Sequence, residues 1–174
     1  MPDNLNNLKR THNCGEIRAE HAGESVTLMG WVHGRRDFGP LTFIDLRDRE
    51  GIVQVVFNAD KNAESHQKAK QLRSEYVIAV VGKVVMRDKD KANPNLKTGK
   101  VEVLAKEVYV FNDAKTPPFE IEQSKVNEDI RLKYRYLDLR RAKMQEIYVC
   151  AIAPHLRSGA ILTRTALLKS KHRC

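Results

Sequence analysis

Residues 26–57, VTLMGWVHGRRDFGPLTFIDLRDREGIVQVVF, constrain this 174-residue chain more than any other stretch, because three consecutive runs in it alternate apolar and polar residues. A period of two is that of half-buried strands. The runs predict a first strand over Val26, Leu28 and Gly30–Val32, a second over Leu41–Leu46 and a third over Ile52–Phe57. Phe38-Gly39-Pro40 and Arg49-Glu50-Gly51 carry the turn chemistry that links them. The outcome is a bent three-stranded meander. In its second strand Thr42, Ile44 and Leu46 fall on one side and Leu41, Phe43 and Asp45 on the other. Ile44 and Leu46 can therefore face a core while Phe43 shares its side with a carboxylate.

The rest of the chain completes a barrel. Asn58-Ala59-Asp60 can start a helix carrying Ala63, Ala69 and Leu72, and Tyr76–Val85 is a nearly unbroken β-branched run with the look of a buried fourth strand. A charged loop, Arg87–Lys100, holds Asn93-Pro94-Asn95 and Thr98-Gly99, and an alternating fifth strand follows over Val101–Phe111. The fold class is mainly β: a five-stranded OB-fold barrel with a helix between strands 3 and 4. In such barrels the face of strands 2 and 3 binds single-stranded nucleic acid, and the loop between strands 4 and 5 closes over it. Phe43 exposed beside Arg35, Arg36 and Arg47 would be a stacking platform with phosphate partners. Phe43 turned inward would be ordinary core, and alternation alone leaves both readings open.

The boundaries follow composition. Residues 1–9 are a polar lead-in, 10–112 the barrel, and 113–145 a linker with Pro117-Pro118 followed by the basic, helical VNEDIRLKYRYLDLRRAKMQ. Residues 146–174 read as an irregular tail without consistent period. The formal charge is +9, and the tail's five basic residues against one acid leave +5 to the rest. That balance suits reversible phosphate binding rather than a polybasic tail. Cys14, Cys150 and Cys174 match no paired zinc or CxxC spacing, and no signal peptide or membrane-length apolar run is present. A reduced, cytoplasmic, soluble protein is the expectation. The six histidines form no nucleophile or metal cluster by spacing, and Asp45, Asp48 and Glu50 are read as partners of Arg47 and Arg49. No catalytic residue and no metal ligand are assigned.

The string GWVHGRRDFGPLTFIDLRDREGIVQVVF, with RTHNCGEIR, KTPPFEIE and VNEDIRLKYRYLDLRR, resembles the N-terminal anticodon-binding domain and hinge of bacterial-type, class II aspartyl-tRNA synthetases from Arg10 to Gln145. The resemblance implies that Phe43 stacks on the middle anticodon base and that Gln54 bonds its Watson–Crick edge. It further implies that Arg36, Arg87 and Glu102 contact the flanking bases, while Arg35, Arg135, Arg140 and Arg141 lie along the tRNA backbone. Gly34 and Val85 depart from positions where the family often has arginine. The implied partner is the anticodon stem-loop of tRNA(Asp). ATP and Mg2+ serve the full-length family enzyme, a homodimer, but this fragment holds no cofactor and should be a monomer, inactive alone because the catalytic domain is missing.

After Gln145 the resemblance stops. Read one frame over with allowed synonymous codons, Ser158 to Cys174 can yield RRYFDENGFIEVETPML, which resembles the start of a class II catalytic domain. An out-of-frame tail is the expectation. The alternatives are a stand-alone single-strand-binding OB protein and an asparaginyl-type fragment. Residues 116–145 weigh against the first, since a free-standing binder has no use for a synthetase-like linker and hinge.

Overall fold

The computed structural model describes residues 8–88, 90, 92–121 and 126–158, the last eight by backbone alone. It divides the chain into two compact units, Met1–Thr116 and Pro117–Cys174.

In the first unit, strands β1 (Ser25–Phe38), β2 (Leu41–Arg47), β3 (Ile52–Asn58), β4 (Val77–Met86) and β5 (Val101–Asn112) close a barrel in the order β1-β2-β3-β5-β4. Helix α1 (Ala63–Gln71) lies between β3 and β4 in sequence, as the pattern predicts. All pairings are antiparallel except β3 with β5, so only a crossover longer than a hairpin can join that edge. Alternation decides what fills the barrel: Val26, Leu28 and Val32 from β1, Ile44 and Leu46 from β2, and Val53, Val55 and Phe57 from β3 are all buried. At about 25 cal/mol per Å² of apolar area removed from water, this cluster is the main source of the unit's stability.

Strand β1 is twice as long as its alternation predicts. The register slips between Val32 and Gly34, leaving His33 as the extra residue of a bulge, and Trp31 pairs with both Val77 of β4 and Arg47 of β2. The bulge lets one strand leave β4 and follow β2, which is how a small barrel turns a corner. The polar stretch His33–Asp37 carries no apolar period, so the sequence pattern ends the strand early.

Two of the turns depend on glycine. Gly39 takes φ +57 in the β1–β2 hairpin. Gly15 lies against the β2–β3 turn so closely that a Cβ there would stand 1.9 Å from the Glu50 carbonyl oxygen. That turn is organised by Asp48, which accepts from the Cys14 amide at 2.6 Å and from the Glu50 and Gly51 amides at 2.8 and 3.1 Å. Asp48 is thus a backbone clamp and not a partner of Arg47 or Arg49. It also helps burial push the Cys14 thiol far above its ordinary range, with desolvation the larger cause.

Helix α1 starts later than Asn58-Ala59-Asp60. Asn62 is its cap, accepting from the Ser65 amide at 3.0 Å, while the Asn62 amide and the Ser65 hydroxyl both donate to the Lys106 carbonyl of β5, at 2.7 and 2.8 Å. Ala69 and Leu72 are buried beneath it.

The second unit contains α2 (Glu128–Lys133), α3 (Arg135–Asp138) and α4 (Ala142–Ser158). Helix α4 runs through Glu146 to Ser158, so the first part of the expected irregular tail is helical. Its register is set by Ala142–Gln145, good helix formers just before the aperiodic residues. The remaining tail, 159–174, lies outside the described residues. Among the described residues no helix is long and apolar enough to cross a membrane.

Candidate nucleic-acid interface

The outer faces of β1, β2 and β3 form three rows, because directly opposed residues share a face. Arg36, Phe43 and Val56 make the first, Gly34, Asp45 and Gln54 the second, and Trp31, Arg47 and Ile52 the third. Successive rows are about 7 Å apart along a strand. Phe43 is therefore outside the barrel, and its absence from the buried core resolves the choice left open by alternation. It is half-buried rather than fully exposed. Its position is flanked by Arg36 on one side and Val56 on the other.

Gln54 stands opposite Asp45 and one row from Phe43. Its amide makes no hydrogen bond among the described residues. In the parallel register that pairs Val56 with Leu104, the next outward residues back along each strand are Gln54 and Glu102. The third-strand amide and the fifth-strand carboxylate are thus neighbours on one surface.

Arg36 is 65% exposed in its side chain and pairs with Asp45 at 3.0 Å. Arg87 behaves differently. Its side chain is 7% exposed, donates to the Val101 carbonyl at 3.0 Å and lies 3.7 Å from the Glu102 carboxylate. Burial pushes the Arg87 guanidinium below its ordinary value, Glu102 and Asp45 oppose this, and Arg36 adds to it. These couplings place Arg36, Asp45, Arg87 and Glu102 in one electrostatic patch. Within it Arg36 is the outward cation, and Arg87 fixes Glu102 from behind.

Arg35 and Arg47 are drawn elsewhere. Consecutive strand residues point to opposite sides, so Arg35 leaves the Phe43 face, pairs with Asp37 at 3.2 Å and donates to the Lys70 and Leu72 carbonyls at the end of α1. Those carbonyls are the unsatisfied, electronegative end of a helix, where a guanidinium is favoured. Arg47 is held by Glu75 at 2.7 Å and meets His33 Nδ1 at 3.2 Å. Asp45 and Arg47 are therefore not partners, whereas Glu50 does pair with Arg49, at 3.2 Å. Glu75 is a functional residue of this scaffold that sequence reasoning misses. It is a non-glycine residue at φ +68, and no glycine or turn signature marks the position.

In the second unit, Arg135 and Arg141 both reach Asp138, at 2.6 and 3.4 Å, and Arg140 is exposed. Arg131, not singled out from sequence, binds the same carboxylate at 2.8 Å. This hydrogen bond and the neighbouring guanidiniums hold the Asp138 carboxyl below its usual range.

The fold also gathers His12, His21 and Glu24, whose possible ligand atoms lie within 4.8 Å of one another although their spacing gives no cluster. Their hydrogen bonds decide what this group can hold. Thr11 Oγ1 lies 3.0 Å from His12 Nδ1, 3.4 Å from the Thr27 carbonyl, and accepts from the Thr27 amide. His21 Nδ1 accepts from the Arg18 amide at 3.1 Å, which leaves the neutral ring's proton on Nε2. With Nδ1 engaged and the proton on Nε2, the neutral His21 ring offers a metal no lone pair.

Residues 26–111 match the family described as the OB-fold nucleic acid binding domain. The barrel is an OB-fold, and the family it matches is that of tRNA anticodon-binding domains. Over 146 residues, 83% of this chain, the sequence is 56% identical to aspartate-tRNA(Asp/Asn) ligase of Acidobacterium capsulatum. Over 147 residues, 84% of the chain, it is 54% identical to the same enzyme of Thermoanaerobacter pseudethanolicus. The chain spans about a quarter of the length of these relatives, 24% and 25%. Among solved structures, asparaginyl-tRNA synthetase from Pyrococcus horikoshii complexed with asparaginyl-adenylate has a TM-score of 0.68 at 26% identity, covering 87% of this chain and 35% of that one. The chain is similar to the N-terminal quarter of aspartate-tRNA ligases, the part that carries their anticodon-binding OB domain.

Proposed function

We propose that this chain reads the anticodon loop of a tRNA as the N-terminal module of an aspartate-tRNA ligase. The observation that carries the proposal is the outward Phe43 with the unengaged Gln54 amide one row away and Glu102 beside it. A base stacked on Phe43 would present its Watson–Crick edge towards Gln54, which offers both a donor and an acceptor. Glu102, fixed by Arg87, suits the paired N–H donors of a guanine. Arg36 supplies the exposed cation for a phosphate or flanking base. The tRNA named by the relatives is that of aspartate and asparagine, and the aspartate one is the partner proposed for this chain.

Aspartylation itself needs ATP and Mg2+ on a rigid catalytic sheet. All five strands among the described residues belong to the barrel, and no step through ATP or Mg2+ is derived for this chain. We propose the division at residues 9, 112 and 145; the boundary of the two compact units, Thr116 to Pro117, falls within the linker so proposed. We place the protein in the cytoplasm as a monomer.

The test is a titration of an RNA hairpin carrying the loop GUC against hairpins with scrambled loops, at physiological salt. Preference for GUC of at least about tenfold is expected, each lost base contact being worth about 1–3 kcal/mol. Equal binding of all loops leaves only phosphate attraction and removes the anticodon assignment. Aspartate-dependent ATP–pyrophosphate exchange by the purified chain would overturn the inactive-fragment reading.

A further inference from the structure

We propose that the cleft between the turn Ala19–His21 and the loop joining β4 to β5 is a subsite for the nucleotide on the 5′ side of the guanine, its phosphodiester held by Lys97, Lys100 and Arg18, a proposal that rests on the anticodon reading above. The cleft encloses about 590 Å³, within the range of roughly 300–1,000 Å³ that small ligands occupy. Its loop wall is held in shape by Asn93. The Asn93 carbonyl accepts from the Leu96 amide at 3.3 Å, its side chain accepts from the Asn95 amide at 3.0 Å, and its own amide donates to the Gly99 carbonyl at 3.1 Å. Thr98, 2% exposed, donates its hydroxyl to the Ile52 carbonyl at 2.5 Å and so ties the loop to β3.

The lining residues fit a nucleotide. Arg18, Lys97 and Lys100 stand against a single acid, Glu20. Lys97 and Lys100 are exposed, and neither ammonium makes an ion pair or hydrogen bond with a described residue. Arg18 is anchored through one nitrogen: Nη1 donates to the Gly15 and Ile17 carbonyls, both at 2.8 Å. Nε and Nη2 keep their N–H donors for an anion, on a guanidinium that is already ordered before a ligand arrives. Pro94 and Leu96 supply an apolar wall on which a ribose or base can pack.

Strand register puts the cleft on the path of the RNA. The Arg87 amide donates to the Lys100 carbonyl at 3.0 Å, which extends the β4–β5 ladder one residue past the Met86–Val101 pair. Lys100 therefore shares the outward side of Glu102, about 7 Å further along the strand. With the middle base of GUC on Phe43 and the guanine at Glu102, a strand followed from Phe43 past Glu102 runs in the 5′ direction and reaches Lys100 next. Lysines that only keep a loop solvated predict an attraction spread over the whole RNA, whereas a subsite predicts dependence on one linkage.

The experiment uses the full chain and an RNA hairpin with the loop GUC, followed by fluorescence anisotropy between about 50 and 200 mM salt. A second hairpin carries a neutral methylphosphonate at the linkage 5′ to the guanosine, and a third carries it 3′ to the cytidine. The parent is expected to bind the 5′-modified hairpin about fivefold more weakly than the unmodified one, through loss of one phosphate contact. Lys97→Ala/Lys100→Ala is expected to bind the unmodified hairpin about fivefold more weakly, with a salt slope shallower by about one contact, and to bind the 5′-modified hairpin no worse. The 3′ modification should affect parent and variant equally. Thermal melting establishes folding, and if the double variant does not fold, Lys97→Ala and Lys100→Ala take the same test singly. Equal sensitivity of parent and variant to the 5′ modification, or a parent indifferent to it while still preferring GUC over scrambled loops, overturns the proposal. A parent without preference for GUC sinks the anticodon reading on which it stands.

Discussion

Two arginines on one sheet face, Arg36 and Arg47, each have a carboxylate partner, and the difference between the pairs separates recognition from scaffold. Arg36 and Asp45 meet at 3.0 Å with 65% and 23% of their side chains exposed. Arg47 and Glu75 meet at 2.7 Å with 14% and 10% exposed. Water screens the first pair and competes for it, so an incoming phosphate or base can take Arg36 at little cost. The second pair is largely desolvated, and separating it would leave a charge without compensation. Residue type and face are shared. Burial of the partner decides which guanidinium is free to bind RNA.

The largest effect should come from attacking the second pair. Glu75→Ala leaves Arg47 partly buried beside His33 and is expected to destabilise the barrel by about 3 kcal/mol. Glu75→Gly loses the same carboxylate but releases the left-handed backbone at φ +68, so it should melt above Glu75→Ala. A shift equivalent to about 1 kcal/mol is the expected gap. Equal melting temperatures for parent and Glu75→Ala would dissolve the contrast between the two pairs.

Phe43→Ala comes next and acts on binding. Loss of one base–aromatic stack should weaken the GUC hairpin by about 1–3 kcal/mol. Stability should change little, since the ring is outside the core; a core phenylalanine would cost about 3–5 kcal/mol. Gln54→Ala should relax the preference at the middle base while stacking persists. Melting and titration of the same two proteins decide whether this row is a binding surface or merely the barrel's wall.

Most of the barrel is legible in the sequence because a period of two is a direct image of a half-buried strand. Alternation by itself places Ile44 and Leu46 inward, and Phe43 outward only as one of two readings, since apolar residues occur on both sides of a sheet. Partner choice is not legible in the same way. Arg35, Arg36 and Arg47 look equivalent along the chain, but Arg35 serves the carbonyl end of α1, and Arg47 is claimed by Glu75, 28 residues away. Asp48 is misread from sequence for the same reason, its ligands being the backbone amides of its own turn and of Cys14, 34 residues earlier. The length of β1 is hidden because a bulge replaces apolar alternation with His33 and a polar run. The histidine–glutamate group is invisible because the fold, not sequence spacing, brings His12, His21 and Glu24 together.

The smallest effects belong to the first pair and sharpen the comparison from the other side. Arg36→Ala should change stability by less than about 1 kcal/mol, the range for exposed ion pairs, and should lower the salt dependence of hairpin binding by about one phosphate contact. Asp45→Asn frees Arg36 from its only ion-pair partner among the described residues, so RNA affinity should rise slightly while stability is again nearly constant. Gly34 offers an independent handle. It stands opposite Asp45, and a Cβ built there would lie 3.7 Å from Asp45 Oδ2, an ordinary contact. Gly34→Arg is therefore sterically admissible, and it puts a second guanidinium beside Asp45, which can pair with only one of the two at full strength. The displaced cation should add to RNA attraction, steepening the salt dependence by about one contact. If Gly34→Arg leaves hairpin affinity and its salt slope untouched, the exposed pair is not in the RNA path, and exposure alone does not mark the recognition arginine.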